Sequence, residues 1–208
     1  MKGRRNPFVA AEGLPLLLVS LLASWALATY VHLLAILPMI ALIVLLILVF
    51  RDPRRSIPPE PLGVVSPVDG VIESIERSQT GVSQGEAIRI RIRVNSLGTY
   101  TARSPVEGMI KNLSTLTDES NVDYRTNAFW VQTDEGDDVV LQFDGYRLGL
   151  PPKALKRFGE RIGQGQRCAY LRLARYAELH LPVDSQVEAK PGDSLLAGTS
   201  LLAKLPHP

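Results

Sequence analysis

The sequence predicts a mainly β domain, a compact barrel or sandwich of short strands with paired halves. It also predicts a preceding α-helical hairpin that spans or re-enters a membrane. Three observations carry that reading. Residues 13–50 run for 38 positions without Asp, Glu, Lys or Arg. Ala87–Val94 (AIRIRIRV) alternates apolar and basic side chains, the period of a half-buried strand. Ser-Pro-Val-Asp-Gly-Val-Ile at 66–72 recurs as Ser-Pro-Val-Glu-Gly-Met-Ile at 104–110, a strand–turn–strand corner used twice.

The apolar run comes first in the chain. A single straight helix of that length would reach about 57 Å, nearly twice a hydrocarbon core of about 30 Å. Two helices fit better, at 13–29 and 34–50, turning near Thr29, Tyr30, Val31 and His32. The rings of Tyr30 and His32 suit the headgroup level, and Pro38 falls in the first turns of the second helix, where a missing N–H costs least. A secretory signal has an apolar core of only about 7–15 residues. Lys2, Arg4 and Arg5 precede the run, and Arg51, Arg54 and Arg55 follow it. The positive-inside tendency then places both ends, and the main domain, on the cytoplasmic face of the cell membrane.

Residues 1–50 are therefore the tail and hairpin. Residues 51–61 (RDPRRSIPPEP), with four prolines, form a stiff extended tether, and 62–208 form the β domain. Besides Ala87–Val94, strands are expected at 70–76, 128–133, 138–143, 168–173 and 177–181, with one short helix at 152–161. Gly163 with Gly165, and Gly192 with Asp193, open turns into further apolar strands.

Charge and composition exclude several function classes. Residues 51–208 hold 20 basic and 20 acidic side chains, a neutral balance that argues against nucleic acid as a partner. The single Cys168 rules out an internal disulfide and reads as buried filler. His32, His180 and His207 lie far apart with no metal-ligand spacing, and His180 reads as an exposed strand histidine. There is no glycine-rich phosphate loop, H-E-x-x-H pair or G-x-S-x-G elbow.

Four features carry candidate chemistry, each with a plainer alternative. Arg89, Arg91 and Arg93 line one strand face and offer charge to lipid phosphates, or simply a solvated face that discourages edge pairing. Asp69 is a candidate acid, or a turn residue before glycine. Asp134-Glu135-Gly136-Asp137-Asp138 is a cation site or a solvated hairpin turn. Lys111, after Met109 and Ile110, is a poor match to a carrier lysine at a hairpin tip.

Taken in order, the segments resemble the short-chain, membrane-anchored branch of the phosphatidylserine decarboxylase family. Glu12-Gly13 before the apolar hairpin resembles its anchor, and Phe50 to Arg55 (FRDPRR) with Ile57-Pro58 its juxtamembrane signature. Val64 to Gly70 (VVSPVDG) and Arg103 to Gly108 (RSPVEG) are similar to its two corners. Residues 172–182, Lys190-Pro191-Gly192-Asp193 and Leu196-Ala197-Gly198-Thr199 are similar to its closing strands.

The resemblance implies a self-made pyruvoyl cofactor. In the family, a Gly-Ser peptide rearranges to an ester, and elimination leaves the pyruvoyl that serves as electron sink for loss of carbon dioxide. Residue by residue, the family's acid is retained as Asp69, its D-x-H pair falls on Gly98 and Tyr100, and its processing Gly-Ser falls on Ala174 and Arg175. An arginine offers no hydroxyl for the ester, so no pyruvoyl is expected at Arg175. The reading is a family protein of phospholipid metabolism that binds membrane phospholipid, phosphatidylserine among the candidates, or a lipid-synthesis enzyme as partner. The alternatives are an active decarboxylase making phosphatidylethanolamine, and a biotin- or lipoyl-like carrier or adaptor.

Overall fold

A computed structural model of the protein describes residues 8–30, 36–78, 86–111, 128–146 and 150–206. The chain divides into two compact units, Met1–Arg54 with Leu97–Tyr100, and Arg55–Ser96 with Thr101–Pro208.

The first unit is built on α1 (Leu14–Tyr30) and α2 (Ile36–Val49). Both are apolar all round: Leu16, Leu18, Val19, Leu22, Trp25 and Leu37 are among the exposed large side chains. The hydroxyls of Ser20, Ser24 and Thr29 donate to the carbonyls of Leu16, Ser20 and Trp25 at 2.8, 2.7 and 2.8 Å. Every hydroxyl of α1 outside its last residue is thus satisfied within the helix, as a hydrocarbon environment requires. The segment Ala11–Thr29 is long and apolar enough to cross a membrane. The 14 residues of α2 reach only about 21 Å. The turn expected around His32 lies at 31–35, outside the described residues.

The base of this hairpin is clamped. Ala10 N–H donates to Phe50 O (2.8 Å) and Asp52 N–H to Phe8 O (2.6 Å), flanking an isolated bridge between Val9 and Arg51. A Cβ on Gly13 would lie 2.5 Å from Cγ of Phe50, so only glycine lets that ring close over the helix start. The Tyr100 ring stacks at a tilt on Phe50 with centroids 4.6 Å apart. Its hydroxyl donates to Glu12 Oε2 at 3.0 Å.

The second unit is mainly β. Its largest sheet has the order β13 (Ser194–Leu195), β2 (Gly70–Ser78), β3 (Ala87–Val94), β11 (Ala174–Pro182), β7 (Asp138–Tyr146), β6 (Phe129–Gln132), β5 (Gly108–Lys111), β9 (Arg161–Ile162). One small sheet is β1 (Gly63–Val65), β14 (Leu201–Lys204), β12 (Gln186–Val187). The other is β4 (Thr101–Arg103), β10 (Arg167–Tyr170), β8 (Lys153–Ala154). All three sheets feed one apolar core: Ile90 and Ile92 of β3, Leu141 and Phe143 of β7, Val64 of β1, Leu202 of β14 and Cys168 of β10 all belong to it. The alternation of β3 is realised, with Ile88, Ile90, Ile92 and Val94 buried and Arg93 exposed.

The topology is pseudo-twofold. Exchanging β13-β2-β3-β11 with β9-β5-β6-β7 maps the large sheet onto itself, and the same exchange carries the β1–β14 pair onto β4–β10. The repeated corners lie at the centre of this exchange. Val65 N–H donates to Pro105 O (2.9 Å) and Arg103 N–H to Pro67 O (2.8 Å). Ser66 Oγ donates to Val68 O at 2.8 Å and Ser104 Oγ to Val106 O at 2.7 Å. Gly198 N–H reaches Ser66 O, and Gly165 N–H reaches Ser104 O. The sequence echo is therefore a structural one.

Two local expectations are corrected. Residues 152–161 form no helix: Lys153 and Ala154 pair with β10 as β8, and a turn at Gly159 (φ +80°) follows. Pro151 and Pro152 hold the entry extended, and a lone ten-residue helix containing glycine is marginal without a face to bury. The strand expected at 168–173 stops at Tyr170. Arg172 and Leu173 follow at φ +47° and +64°, and Ala174 N–H donates to Leu171 O (3.0 Å). That is a tight turn of primed type.

Candidate functional site

Asp69 sits in the first corner and is 5% exposed. Oδ2 accepts from Arg55 Nη2 at 2.9 Å, and Oδ1 accepts from Ala197 N–H at 2.7 Å. The tether arginine and the closing turn thus converge on one carboxylate, and its own carbonyl accepts from Asn95 N–H (2.8 Å). Behind it, Gly70 begins β2 so close to β3 that a Cβ would lie 2.3 Å from Arg93 O. Asp69 is locked in place by these partners, and an ion pair with so little solvent access holds its charge in a fixed position.

The matching acid of the second corner, Glu107, turns outward. It accepts from Arg161 Nη2 at 3.1 Å, and Arg161 also binds Asp134 of the β6–β7 turn. These two carboxylates, Asp134 first, push the Arg161 pKa up. Glu60, Leu62, Gly63, Glu107, Asp134 and Gln164 line a cavity of about 360 Å³. Gln164 Nε2 donates across its floor to Gly63 O. Residues 134–138 are a hairpin turn, with Gly136 at φ +96° and Asp138 Oδ1 accepting from Trp130 Nε1 at 2.9 Å. Burial, then Glu135 and Asp138, raises the Asp137 pKa. Among the described residues, no group of three His, Cys, Asp or Glu side chains has metal-binding geometry.

The positions aligned with the family's titrating pair, Gly98 and Tyr100, lie in the first unit. Both are buried. Tyr100 is a clamp residue there, its hydroxyl on Glu12 and its N–H donating to Arg51 O (3.0 Å). Ala174 and Arg175 open β11 directly after the Arg172–Leu173 turn. Ala174 is 1% exposed, whereas Arg175 is exposed and its stem covers Gly145, whose Cβ would lie 3.0 Å from Arg175 Cβ. The resemblance implies a hydroxyl at this position, and an outward guanidinium does not supply one.

The arginine stripe is interleaved with acid. Arg89 pairs with Glu76 at 2.6 Å, which lowers the Glu76 pKa. Arg91 binds Glu73 at 3.0 Å and Glu178 at 2.9 Å, and its guanidinium lies 4.3 Å from the Tyr176 ring centroid. Three arginines and three carboxylates therefore share this face. His180, expected to be exposed, is 7% exposed. It lies between Arg89 of β3 and Val140 of β7, on a central strand buried on both faces. Burial first, then the Arg89 charge, lowers its pKa to about 4. Cys168 is fully buried, and burial pushes its thiol up to about 12. A carrier lysine would sit at a hairpin tip; Lys111 instead ends β5 opposite Trp130 of β6.

Sequence reasoning missed Arg103 as an organiser. It is 4% exposed, donates from Nη1 to Gly165 O at 3.0 Å, and its Cδ fills the space a Cβ on Gly198 would need. It thereby spans both symmetry-related glycine turns. Its place in Arg-Ser-Pro was visible in the sequence, but its burial was not.

No protein-family model matches the chain. It is similar over nearly its whole length to the phosphatidylserine decarboxylase proenzyme of Burkholderia cenocepacia (strain HI2424), 28% identical over 209 residues, covering 96% of this chain and 97% of that protein. The proenzymes of Burkholderia vietnamiensis (27% over 212 residues) and Burkholderia multivorans (28% over 213 residues) match over the same shares of both chains. Among solved structures it is similar to glucose permease IIA from Mycoplasma capricolum. That match has 16% identity and a TM-score of 0.46, over 68% of this chain and 94% of that one.

Proposed function

We propose that this chain, which belongs to the phosphatidylserine decarboxylase family of phospholipid metabolism, keeps the family scaffold at the membrane without the pyruvoyl reaction. It acts by binding phospholipid, phosphatidylserine among the candidates, or a lipid-synthesis enzyme. The observation that carries this reading is the β10–β11 junction, where buried Ala174 precedes an outward Arg175. The aligned titrating positions support it, since Gly98 carries no side chain and Tyr100 is engaged by Glu12. The apolar hairpin and its flanking arginines support placement at the cell membrane, with the β unit on the cytoplasmic face.

The test compares the unmodified protein with Arg175→Ser and with the quadruple change Gly98→Asp, Tyr100→His, Ala174→Gly, Arg175→Ser. Gels report cleavage, and carbon dioxide release from carboxyl-labelled phosphatidylserine reports turnover. The unmodified protein and Arg175→Ser remain single chains without turnover. Cleavage in the quadruple variant alone would mean that the scaffold survives and only the chemistry was lost.

A second reading is favoured by the full-length similarity to proenzymes: a working carboxy-lyase processed elsewhere in the chain. Self-cleavage of the unmodified protein would establish it and overturn the first.

A further inference from the structure

We propose that the cavity between residues 60–63, the second corner and the β6–β7 turn binds a small organic cation, an ammonium ion on a short aliphatic chain. Four carboxylates line it, those of Glu60, Glu107, Asp134 and Glu135, and no basic side chain does so among the described residues. The cations beside it are already shared. Arg161 holds both Glu107 and Asp134, and Lys204 holds both Glu60 and Glu188, at 2.6 and 3.4 Å. Glu135 has no cationic partner among the described residues, and after burial its charge is the next cause of the raised Asp137 pKa. Glu60, Glu107, Asp134, Glu135 and Glu188 are thus met by two cations.

Volume and walls select the occupant. About 360 Å³ lies in the range of pockets that enclose small organic ligands, well beyond what a bare metal ion fills. Among the described residues, no three acidic, histidine or cysteine side chains have metal-binding geometry. One wall is apolar, since Val106 and Leu205 line the cavity and belong to the core. Thr133 lines it too and is 8% exposed. Its Oγ1 accepts from Asp137 N–H at 3.1 Å, while its hydroxyl proton has no acceptor among the described residues. A hydroxyl has one proton to donate and two lone pairs, so Thr133 keeps hydrogen-bonding capacity for an occupant. Carboxylates beside a low-dielectric wall focus their field on a cation, and its methylenes gain by leaving water against Val106 and Leu205. A phosphate would be repelled by the same carboxylates. A free amine therefore fits better than the head group of an aminophospholipid.

The cavity is remote from the position aligned with the family's processing site. Strand β7 begins at Asp138, directly after the turn that lines the cavity, and Ala174 pairs with Tyr146 at its other end. The 9 residues of that strand set its ends about 26 Å apart. The inference therefore stands whether or not the chain decarboxylates lipid.

Calorimetric titration of the full-length protein in detergent tests it. The probe is putrescine, with butanediol as its uncharged counterpart and glycerophosphoethanolamine as the soluble phospholipid head group. Putrescine should bind about tenfold or more tightly than either. Glu135→Gln, at an exposed turn with no ion pair to lose, should weaken putrescine about threefold to fivefold, and adding Glu60→Gln should bring the loss to about tenfold. Glu76→Gln, on β2 and away from the cavity, should change nothing. No heat from putrescine up to about 10 mM, butanediol binding as well as putrescine, or equal losses from Glu76→Gln and Glu135→Gln would each overturn the proposal. So would glycerophosphoethanolamine binding as tightly as putrescine, or displacement of putrescine by an equal concentration of magnesium chloride, which would make the site one for a head group or for a divalent ion.

Discussion

The two corners share a backbone and differ in one side chain. At 66–70 the acid is Asp69, turned inward onto Arg55 and the Ala197 N–H. At 104–108 it is Glu107, turned outward onto Arg161. Serine hydroxyls, reciprocal backbone bonds, glycine turns and close strand approaches are common to both. What repeats is the geometry needed to turn the chain between sheets. What differs is whether the acid is a fixed interior charge or a rim residue of the cavity. A duplicated frame therefore concentrates its individuality in a few side chains.

The largest expected effect tests the shared part. A Cβ at Gly70 or Gly108 would sit 2.3 or 2.1 Å from a neighbouring carbonyl oxygen, so Gly70→Ala and Gly108→Ala should each cost about 3 kcal/mol or more. Thermal unfolding in detergent reads this, and similar losses are expected for both. If one is tolerated, the corners are not equivalent. The next effect tests the difference. Asp69→Asn leaves Arg55 facing a neutral amide beside a buried turn and should cost about 3 kcal/mol, while Glu107→Gln, on the exposed rim, should leave the midpoint unmoved. Equal shifts would erase the distinction.

The central strands extend the comparison. In register, β11 places Glu178 and His180 opposite Gln142 and Val140 of β7, so only one half carries ionisable groups there. The His180 pKa is about 4 folded against roughly 6.5 unfolded. The unfolded state binds the extra proton in that interval. His180 therefore contributes stability fully above about pH 6.5; it is lost as pH falls toward 4 and changes no further below. The loss should approach about 2 kcal/mol after discounting residual solvation. His180→Gln should flatten the midpoint between pH 6.5 and 4 relative to the parent; an unchanged slope would mean the histidine charges freely. The smallest effect lies at the turn before β11. Leu173 holds φ +64° without being glycine, so Leu173→Gly should stabilise by about 1 kcal/mol, seen as a raised midpoint.

Much of the frame was legible because it rests on local pattern. The uncharged run gave the hairpin, the alternation of Ala87–Val94 gave a strand with its correct inner face, and the repeated Ser-Pro-Val-acid-Gly gave the paired corners. The misreadings share a cause, which is that burial and pairing depend on chain that lies distant in sequence. Ala177 to Leu181 alternates as though one face were wet, yet Glu178 and His180 are buried, because β11 lies between β3 and β7 and both its faces are covered. Residues 152–161 have a helical composition, but the open edge of β10 recruits Lys153 and Ala154. Arg172 and Leu173 carry none of the glycine or asparagine that signals a primed turn. At the candidate site, Asp69 was visible as an acid before glycine, but its partners Arg55 and Ala197, 14 and 128 residues away, were not.

On the proposed reading, the chain keeps the family scaffold and does not process itself. Intact-mass spectrometry of the purified full-length protein tests it most directly. One species at the 22.8 kDa of the uncleaved chain, unchanged after prolonged incubation, is expected. Two fragments, the smaller carrying a pyruvoyl N-terminus, would contradict it.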